Sequence, residues 1–340
     1  MMINLPNVIF GTSALGNLYT AIDERIKHQI VESCISNSKG IPVFDSAGKY
    51  GAGLALEVLG RSFKKLGVKQ DQVLISNKLG WYRVPLKGTE PTFEKDVWKD
   101  LKYDAIQKIS YEGILECFYQ GNNLLQGYIP QMVSVHDPDE FLKAAASIKE
   151  EEQRFKKILQ AYQALAELKE KGEVKYIGVG AKNWRTIEKI SQFVKLDWVM
   201  IANSLTLHSH PKQLIDFINI LTEKNITVIN SAVFNGGFLI GSDYYNYTHV
   251  DKESVDGKEL YVWREEFFKQ CGEQGISPAA ACVHFGLQFK GVKSIALNTS
   301  KPEHVERNLS LTTEKINTEF WKRLREKGLI KIDVSAPFNS

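Results

Sequence analysis

The sequence predicts an α/β fold, a closed (β/α)8 barrel, from three observations. Short β-branched apolar runs recur eight times, at residues 8–10, 43–46, 73–78, 132–136, 176–180, 199–203, 227–231 and 292–297. Segments of helical period lie between them, among them 23–38, 54–66, 151–171 and 211–224, the third closing on the end signal Lys171-Gly172. Eight such units with right-handed crossovers suit a closed barrel, whereas an open doubly wound sheet normally uses fewer strands and places a nucleotide loop after the first.

The alternation runs through all 340 residues without an internal repeat or a low-complexity break, so one domain spanning 1–340 is expected. A composition of 43% hydrophobic and 24% charged residues is that of an ordinary globular chain and excludes disorder and collagen-like repeats. The 43 Lys and Arg against 40 Asp and Glu give a formal charge of +3 with no basic block, so nucleic acid is not an expected partner. Cys34, Cys117, Cys271 and Cys282 lie far apart with no C-x-x-C pair, which suits a reducing compartment. No apolar leader and no run of 18 apolar residues occurs, so a cytoplasmic protein without a membrane partner is expected.

Two connections exceed the usual length, residues 80–102 and 241–257, the second carrying Tyr244, Tyr245 and Tyr247. Both follow strand ends, which in a barrel is the C-terminal face where active sites form. They are expected as long loops over that face, as lids or as plain insertions.

The chemistry-bearing residues stand at the same face. The second strand ends in Phe44-Asp45-Ser46-Ala47-Gly48-Lys49-Tyr50-Gly51, the third in Ser76-Asn77-Lys78, and the fourth in Ser134-Val135-His136-Asp137. Singly, Asp45 reads as a helix cap, Tyr50 as loop filler, Lys78 as solvated and His136 as a core histidine. Together they bring carboxylate, phenol, ammonium and imidazole to three adjacent strand ends. A lysine at a buried strand terminus needs a counter-ion, and Asp45 is the nearest candidate. A tyrosine beside that ammonium is expected to have its pKa lowered, so that it exchanges a proton near neutral pH.

These residues resemble the aldo-keto reductases, and more narrowly the branch that oxidises aldoses of the L-fucose or D-threo-aldose kind. The family resemblance is carried by Phe10 to Gly16, by Asp45 to Gly51 continuing to Glu57-Val58-Leu59-Gly60, by Asn77-Lys78-Leu79, by Val135-His136-Asp137 and by the segment from Ser294 to Asn308. The branch is suggested by Asp137-Pro138-Asp139, by Gly178-Val179-Gly180-Ala181-Lys182-Asn183-Trp184 and by Phe234-Asn235-Gly236-Gly237-Phe238-Leu239.

The resemblance implies a tetrad of Asp45, Tyr50, Lys78 and His136 at the mouth of the barrel, with a nicotinamide cofactor extended across it. By that likeness Tyr50 is the general acid in reduction and the general base in oxidation, Lys78 tunes it, Asp45 holds Lys78, and His136 orients the substrate oxygen. It implies cofactor contacts at Gly11, Thr12, Ser13, Asp45, Asn183, Ser204, Ser231, Asn298, Thr299, Ser300, His304, Arg307 and Asn308. Substrate contacts fall at Tyr50, His136, Trp81 and Trp184, the substrate being a sugar or aldehyde and the reaction an oxidation at C1 to the lactone.

Departures from the family pattern sharpen the expectation. Gly180 and Ala181 stand where many members hold the nicotinamide carboxamide with Ser-Asn, so that contact is expected to pass to Asn183 or to be lost; Ser204 replaces a glutamine, and Asn230 a tyrosine that stacks under the ring. Asn298 and His304 replace Lys and Arg of NADP-dependent members, which favours NAD over NADP, with Lys301 and Arg307 close in sequence. Neither a G-x-G-x-x-G after a strand nor a Walker loop occurs, so pyrophosphate binding is expected from amides and hydroxyls near Ser231, Thr299 and Ser300.

Other readings are a general aldehyde or ketone reductase and a cofactor-sensing regulatory barrel, against which the intact tetrad argues for turnover. His208-Ser209-His210 with His136-Asp137 raises a metal-dependent barrel hydrolase, but the other strand ends offer Lys78, Gly180 and Ser231 in place of ligands, so no metal is expected.

Overall fold

The computed structural model describes residues 3–332. Eight parallel strands close a barrel: β1 (Val8–Gly11), β2 (Val43–Ala47), β3 (Leu74–Leu79), β4 (Met132–His136), β5 (Tyr176–Ala181), β6 (Trp198–Ala202), β7 (Thr227–Ser231) and β8 (Val292–Asn298). Each pairs with its neighbour in sequence, and β8 returns to β1 with Val8 opposite Ile295. The eight expected strands are these eight, displaced by no more than about one residue at most ends.

Alternation along each strand sorts side chains between two cores. Ile9, Val43, Met132, Trp198, Met200 and Ile229 fill the floor of the barrel with Ile3. Their neighbours point outward under the helices: Phe10, Phe44 and Ile75 lie in one cluster, and Val133, Val179, Val199 and Val228 in another. Trp198 takes the space that Gly178 leaves, for a β-carbon at 178 would lie 2.2 Å from its indole ring. A bulkier residue there collides with the largest side chain of the floor.

The outer helices start and stop where their caps dictate. Asp23 accepts from Arg25 N ahead of Glu24–Ser36, Ser110 from Gly113 N ahead of Tyr111–Leu124, and Ser147 from Glu150 N ahead of Ile148–Glu170. Leu54–Leu66 turns Ala55, Leu56, Val58, Leu59 and Phe63 inward, keeps Lys64 and Lys65 exposed, and ends on left-handed Gly67. Each buried Leu or Phe of such a face contributes about 1.5–3 kcal/mol, which is how a sequence of modest helix propensity holds its place.

Both long connections have structure of their own. The first contains Trp81–Pro85, paired antiparallel with Tyr103–Gln107, and the second a small hairpin of Tyr244–Tyr245 with Thr248–His249. Among the described residues no helix is long and apolar enough to cross a membrane.

Candidate active site

The parity that builds the floor also builds the site. Two residues beyond Val43 is Asp45, four beyond Leu74 is Lys78, four beyond Met132 is His136 and two beyond Ile9 is Gly11, so each points inward above the floor. All four line a cavity of about 510 Å³ at the C-terminal ends of the strands. Tyr50 lines it from the turn after β2, where left-handed Gly51 (φ 62°) packs on Gly16; a β-carbon at 51 would lie 2.3 Å from the Gly16 carbonyl oxygen.

Lys78 and Asp45 form a buried ion pair, with Lys78 Nζ 2.5 Å from Asp45 Oδ2, and Ser76 donates to Asp45 Oδ1 at 3.0 Å. Asp45 is 3% exposed and Lys78 2%, so neither ion has water to fall back on and each depends on the other. Lys78 Nζ stands 4.8 Å from the centre of the Tyr50 ring, and the His136 ring meets that ring edge-on at 5.6 Å.

The expected lowering of the tyrosine pKa is overturned. Burial raises it well above the ordinary phenol value, and the charges of Asp45 and Asp137 raise it further, with Lys49 opposing. Burial is the main cause, and the close Asp45–Lys78 pair leaves it unopposed, because the carboxylate offsets the nearby ammonium. His136 is held neutral, its pKa far below the ordinary imidazole value through burial and then through Lys78 and Lys49. The site therefore holds a protonated phenol beside a neutral imidazole, a proton donor and a hydrogen-bonding group side by side.

A second charged group, not expected from sequence, adjoins the first. Lys49 Nζ lies 2.6 Å from Glu94, 3.0 Å from Asp137 and 3.0 Å from Glu140, and Glu140 also holds Lys182 at 2.5 Å. Glu94 accepts from Trp98 Nε1 at 2.7 Å, which sets the indole against Tyr50 with ring centres 5.8 Å apart. The connection after β3 thereby supplies Glu94, Val97 and Trp98 to the cavity wall. Tyr19 N donates to the Val97 carbonyl at 2.7 Å, and the connection after β7 adds Tyr247.

This barrel and its site match a known family: residues 7–328 fit the Aldo/keto reductase family. The chain belongs to it. As an aldo/keto reductase it is an oxidoreductase of a family that uses nicotinamide cofactors. It is similar to a pyridoxal 4-dehydrogenase of Microbacterium luteolum, 24% identical over 94% of this chain and 93% of the relative. A D-threo-aldose 1-dehydrogenase of Pseudomonas sp is 23% identical over 96% of this chain and 95% of the relative. Among solved structures, a glycerol dehydrogenase from Gluconobacter oxydans superposes with a TM-score of 0.69 at 17% identity, over 100% of this chain and 97% of that one. An aldo-keto reductase from Bacillus halodurans in its holo form gives 0.67 at 17%, over 100% and 98%.

The residues of this aldo/keto reductase fit such a cofactor along one side of the mouth. Gly11, Ser13, Gly180, Ser231 and Asn298 line the cavity with small or uncharged polar groups that leave room for a flat ring and its sugar. At Gly180 an added β-carbon would lie 3.3 Å from Lys78 Cδ, so the bare backbone keeps that wall open. Asn298 joins β8 to the loop after β1, accepting from Ala14 N at 3.3 Å and donating to Ser13 Oγ at 3.0 Å. Thr12 is buried and donates to the Asp45 carbonyl at 3.0 Å. Thr299 and Lys301 close a local turn, Ser300 is exposed, and His304, Arg307 and Asn308 lie on the helix His304–Ser310 beyond the cavity.

Asn230 and four of the expected contacts, Asn183, Ser204, Trp184 and Trp81, lie away from the cavity. Asn230 follows inward-facing Ile229 and so points out of the barrel, donating to the Leu205 carbonyl at 2.9 Å. Asn183 caps the helix Trp184–Ser191 through Arg185 N, and Ser204 donates to the Lys182 carbonyl at 2.6 Å; neither lines the cavity. Trp184 stacks on Phe217 in the outer core, and Trp81 packs on Phe93 behind Lys49. Trp98 and Tyr247 line the cavity where those two tryptophans do not.

The H-x-H pair is structural. His208 Nδ1 meets Tyr245 OH at 2.8 Å, and His210 Nε2 accepts from Lys331 N at 2.9 Å. Among the described residues, no three or more His, Cys, Asp or Glu side chains are grouped to hold a metal ion.

Proposed function

We propose that this enzyme oxidises an aldose at C1 to the lactone, using NAD in preference to NADP, with Tyr50, Lys78, Asp45 and His136 as its working tetrad. The observation that carries the reading is the convergence of those four side chains on one cavity at the C-terminal face. The nicotinamide cofactor supplies the hydride chemistry when bound. In reduction Tyr50 Oη gives its proton to the carbonyl oxygen; in oxidation it first loses that proton to solvent, and the phenolate then takes the proton of the sugar hydroxyl, so oxidation is expected to quicken as the pH rises. His136, neutral, holds that oxygen by a hydrogen bond from its ring. Asp45 fixes Lys78 beside Tyr50, and Gly11, Ser13, Ser231 and Asn298 at the cavity would hold the cofactor.

The sugar assignment draws on the polar side of the cavity, where Lys49, Glu94, Asp137 and Lys182 offer charged partners to several hydroxyls. A relative named D-threo-aldose 1-dehydrogenase points the same way. Trp98, Phe234 and Tyr247 on the other walls favour a second reading, a ring-bearing aldehyde or alcohol, in line with the relative named pyridoxal 4-dehydrogenase. A panel of aldoses, simple aldehydes and pyridoxal, each run with NAD and NADP, separates the two. The highest kcat/KM is expected with an aldose; turnover confined to non-sugar aldehydes overturns the sugar assignment, and tight cofactor binding without any turnover overturns the enzyme reading.

A further inference from the structure

Lys49 is the buried cation that the proposed tetrad leaves unused. Its side chain is 4% exposed, and its ammonium touches carboxylates from two different loops: Glu94 after β3, and Asp137 and Glu140 after β4. A cation so placed is costly unless every neighbour is satisfied. Burial works against the charge, but Asp137, Glu94 and Glu140 outweigh it and hold Lys49 ionised.

The cluster borders the reacting residues on both sides. Asp137 Oδ2 lies 3.0 Å from Lys49 Nζ and 3.5 Å from His136 Nε2. Asp137 stands in the left-handed region at φ 46°, a conformation an aspartate adopts at some cost, with its amide tied to the Gly180 carbonyl at 3.1 Å. Glu94, also left-handed at φ 43°, bridges Lys49 to Trp98, which packs on Tyr50. One ammonium thus joins the wall behind the phenol to the carboxylate beside the imidazole.

We propose that Lys49 is a positioning residue for proton transfer at Tyr50, its ammonium drawing Glu94 and Asp137 into one cluster against the phenol and partly offsetting their charge. The inference rests on the reading of Tyr50 as the proton-transfer group. The charged and titratable groups that face Tyr50 are the Asp45–Lys78 pair, Asp137, His136, Tyr247 and Lys49, and Lys182 lies behind Glu140. Of these, Asp45, Asp137 and Tyr247 disfavour the phenolate, and Lys49 offsets them. Removing Lys49 deletes a cation and frees Asp137 from its partner. Both changes disfavour the phenolate, so they act with one sign.

The test is the pH dependence of kcat for oxidation of L-fucose, or of 4-nitrobenzyl alcohol should sugars be rejected, in the full-length protein and in Lys49→Met and Lys49→Arg. The break for Lys49→Met is expected to move upward by about one pH unit or more, or out of the stable range, which lowers the rate below the break by about tenfold per unit. Lys49→Arg keeps the cation and restores the break to within about a third of a unit of the parent. A folded Lys49→Met whose break coincides with the parent's overturns the proposal, as do two folded variants equally slowed with no shift. Should Lys49→Met not fold, Lys49→Met with Glu94→Gln and Glu140→Gln removes two of the stranded carboxylates and leaves Asp137; the same upward shift is expected, and its absence is decisive against the idea. Tyr50→Phe run alongside separates the two readings. Near-normal turnover of that variant removes the premise, whereas loss of turnover with an unshifted Lys49→Met leaves the premise standing and the positioning role refuted.

Discussion

Lys78 Nζ lies 2.5 Å from Asp45 Oδ2, on neighbouring strands where Ala47 is in register with Lys78. The pair closes on itself, so the lysine reaches Tyr50 as half of a dipole rather than as a free charge. Lys78→Met strands the Asp45 carboxylate, which already opposes ionisation of the phenol. Breaking a buried pair from one side costs about 3–5 kcal/mol of stability, and the break in the alcohol-oxidation profile is expected to move to higher pH. Denaturant unfolding and a pH series measure the two effects, and an active variant with an unchanged profile contradicts the coupling.

Tyr50→Phe keeps the ring that packs on Trp98 and His136 and deletes only the hydroxyl. Turnover should fall by roughly 10²-fold or more, the usual cost of losing a general acid or base, while thermal stability stays close to the parent's. Retained turnover excludes the proton role assigned to Tyr50.

The barrel and three of the four tetrad positions were legible because a strand has a period of two. An inward Val43, Leu74 and Met132 fix Asp45, Lys78 and His136 as inward too, with no knowledge of any loop. The same parity, applied at Ile229, would have sent Asn230 outward and left Ser231 at the cavity. Lys49 stood inside the quoted motif, but its partner Glu94 comes from a loop whose path depends on left-handed Glu94, Asp96 and Asp100 and on Asn17, which accepts from Lys99 N at 3.0 Å. Such a path is set by tertiary contacts and leaves no period in the sequence. Tyr50 illustrates the limit for charge: residue types name the neighbours, but only distances show that Asp45 cancels Lys78.

His208 gives a prediction for acid stability. Burial, and then His210 and Lys331, lower its pKa from 6.5 to about 4. The unfolded chain takes up a proton near the higher value that the native imidazole refuses until the lower one, so this contribution is whole above pH 6.5 and lost as the pH falls towards about 4. The shift corresponds to roughly 3 kcal/mol. His208→Phe keeps a ring against Trp263 and Tyr245 and should shrink the loss of unfolding free energy between neutral and acid pH by about that amount. An unchanged pH slope excludes His208 as its source.

The proposed preference for NAD rests on the charges available near Asn298 and the helix His304–Ser310. A ribose 2′-phosphate carries between one and two negative charges near neutral pH, and sites that select it meet that charge with Arg or Lys. Asn298 offers an amide already engaged by Ala14 and Ser13, so it is both uncharged and occupied. His304 is half-buried at the start of its helix and stands where NADP-dependent members carry an arginine's fixed charge. Lys301 is held by its backbone in the turn with Thr299, and Arg307 is exposed one helical turn from His304. Both are cations on long stems, and each loses side-chain entropy in reaching a phosphate. NAD presents no such charge and should give the higher kcat/KM with one good substrate near neutral pH. His304→Arg, which leaves the Asn298 contacts intact, should shift the ratio towards NADP by about tenfold, or about 1.4 kcal/mol. A parent enzyme that already prefers NADP by about tenfold or more refutes the preference, because the same free energy would then come from Lys301 and Arg307 despite the cost of ordering them.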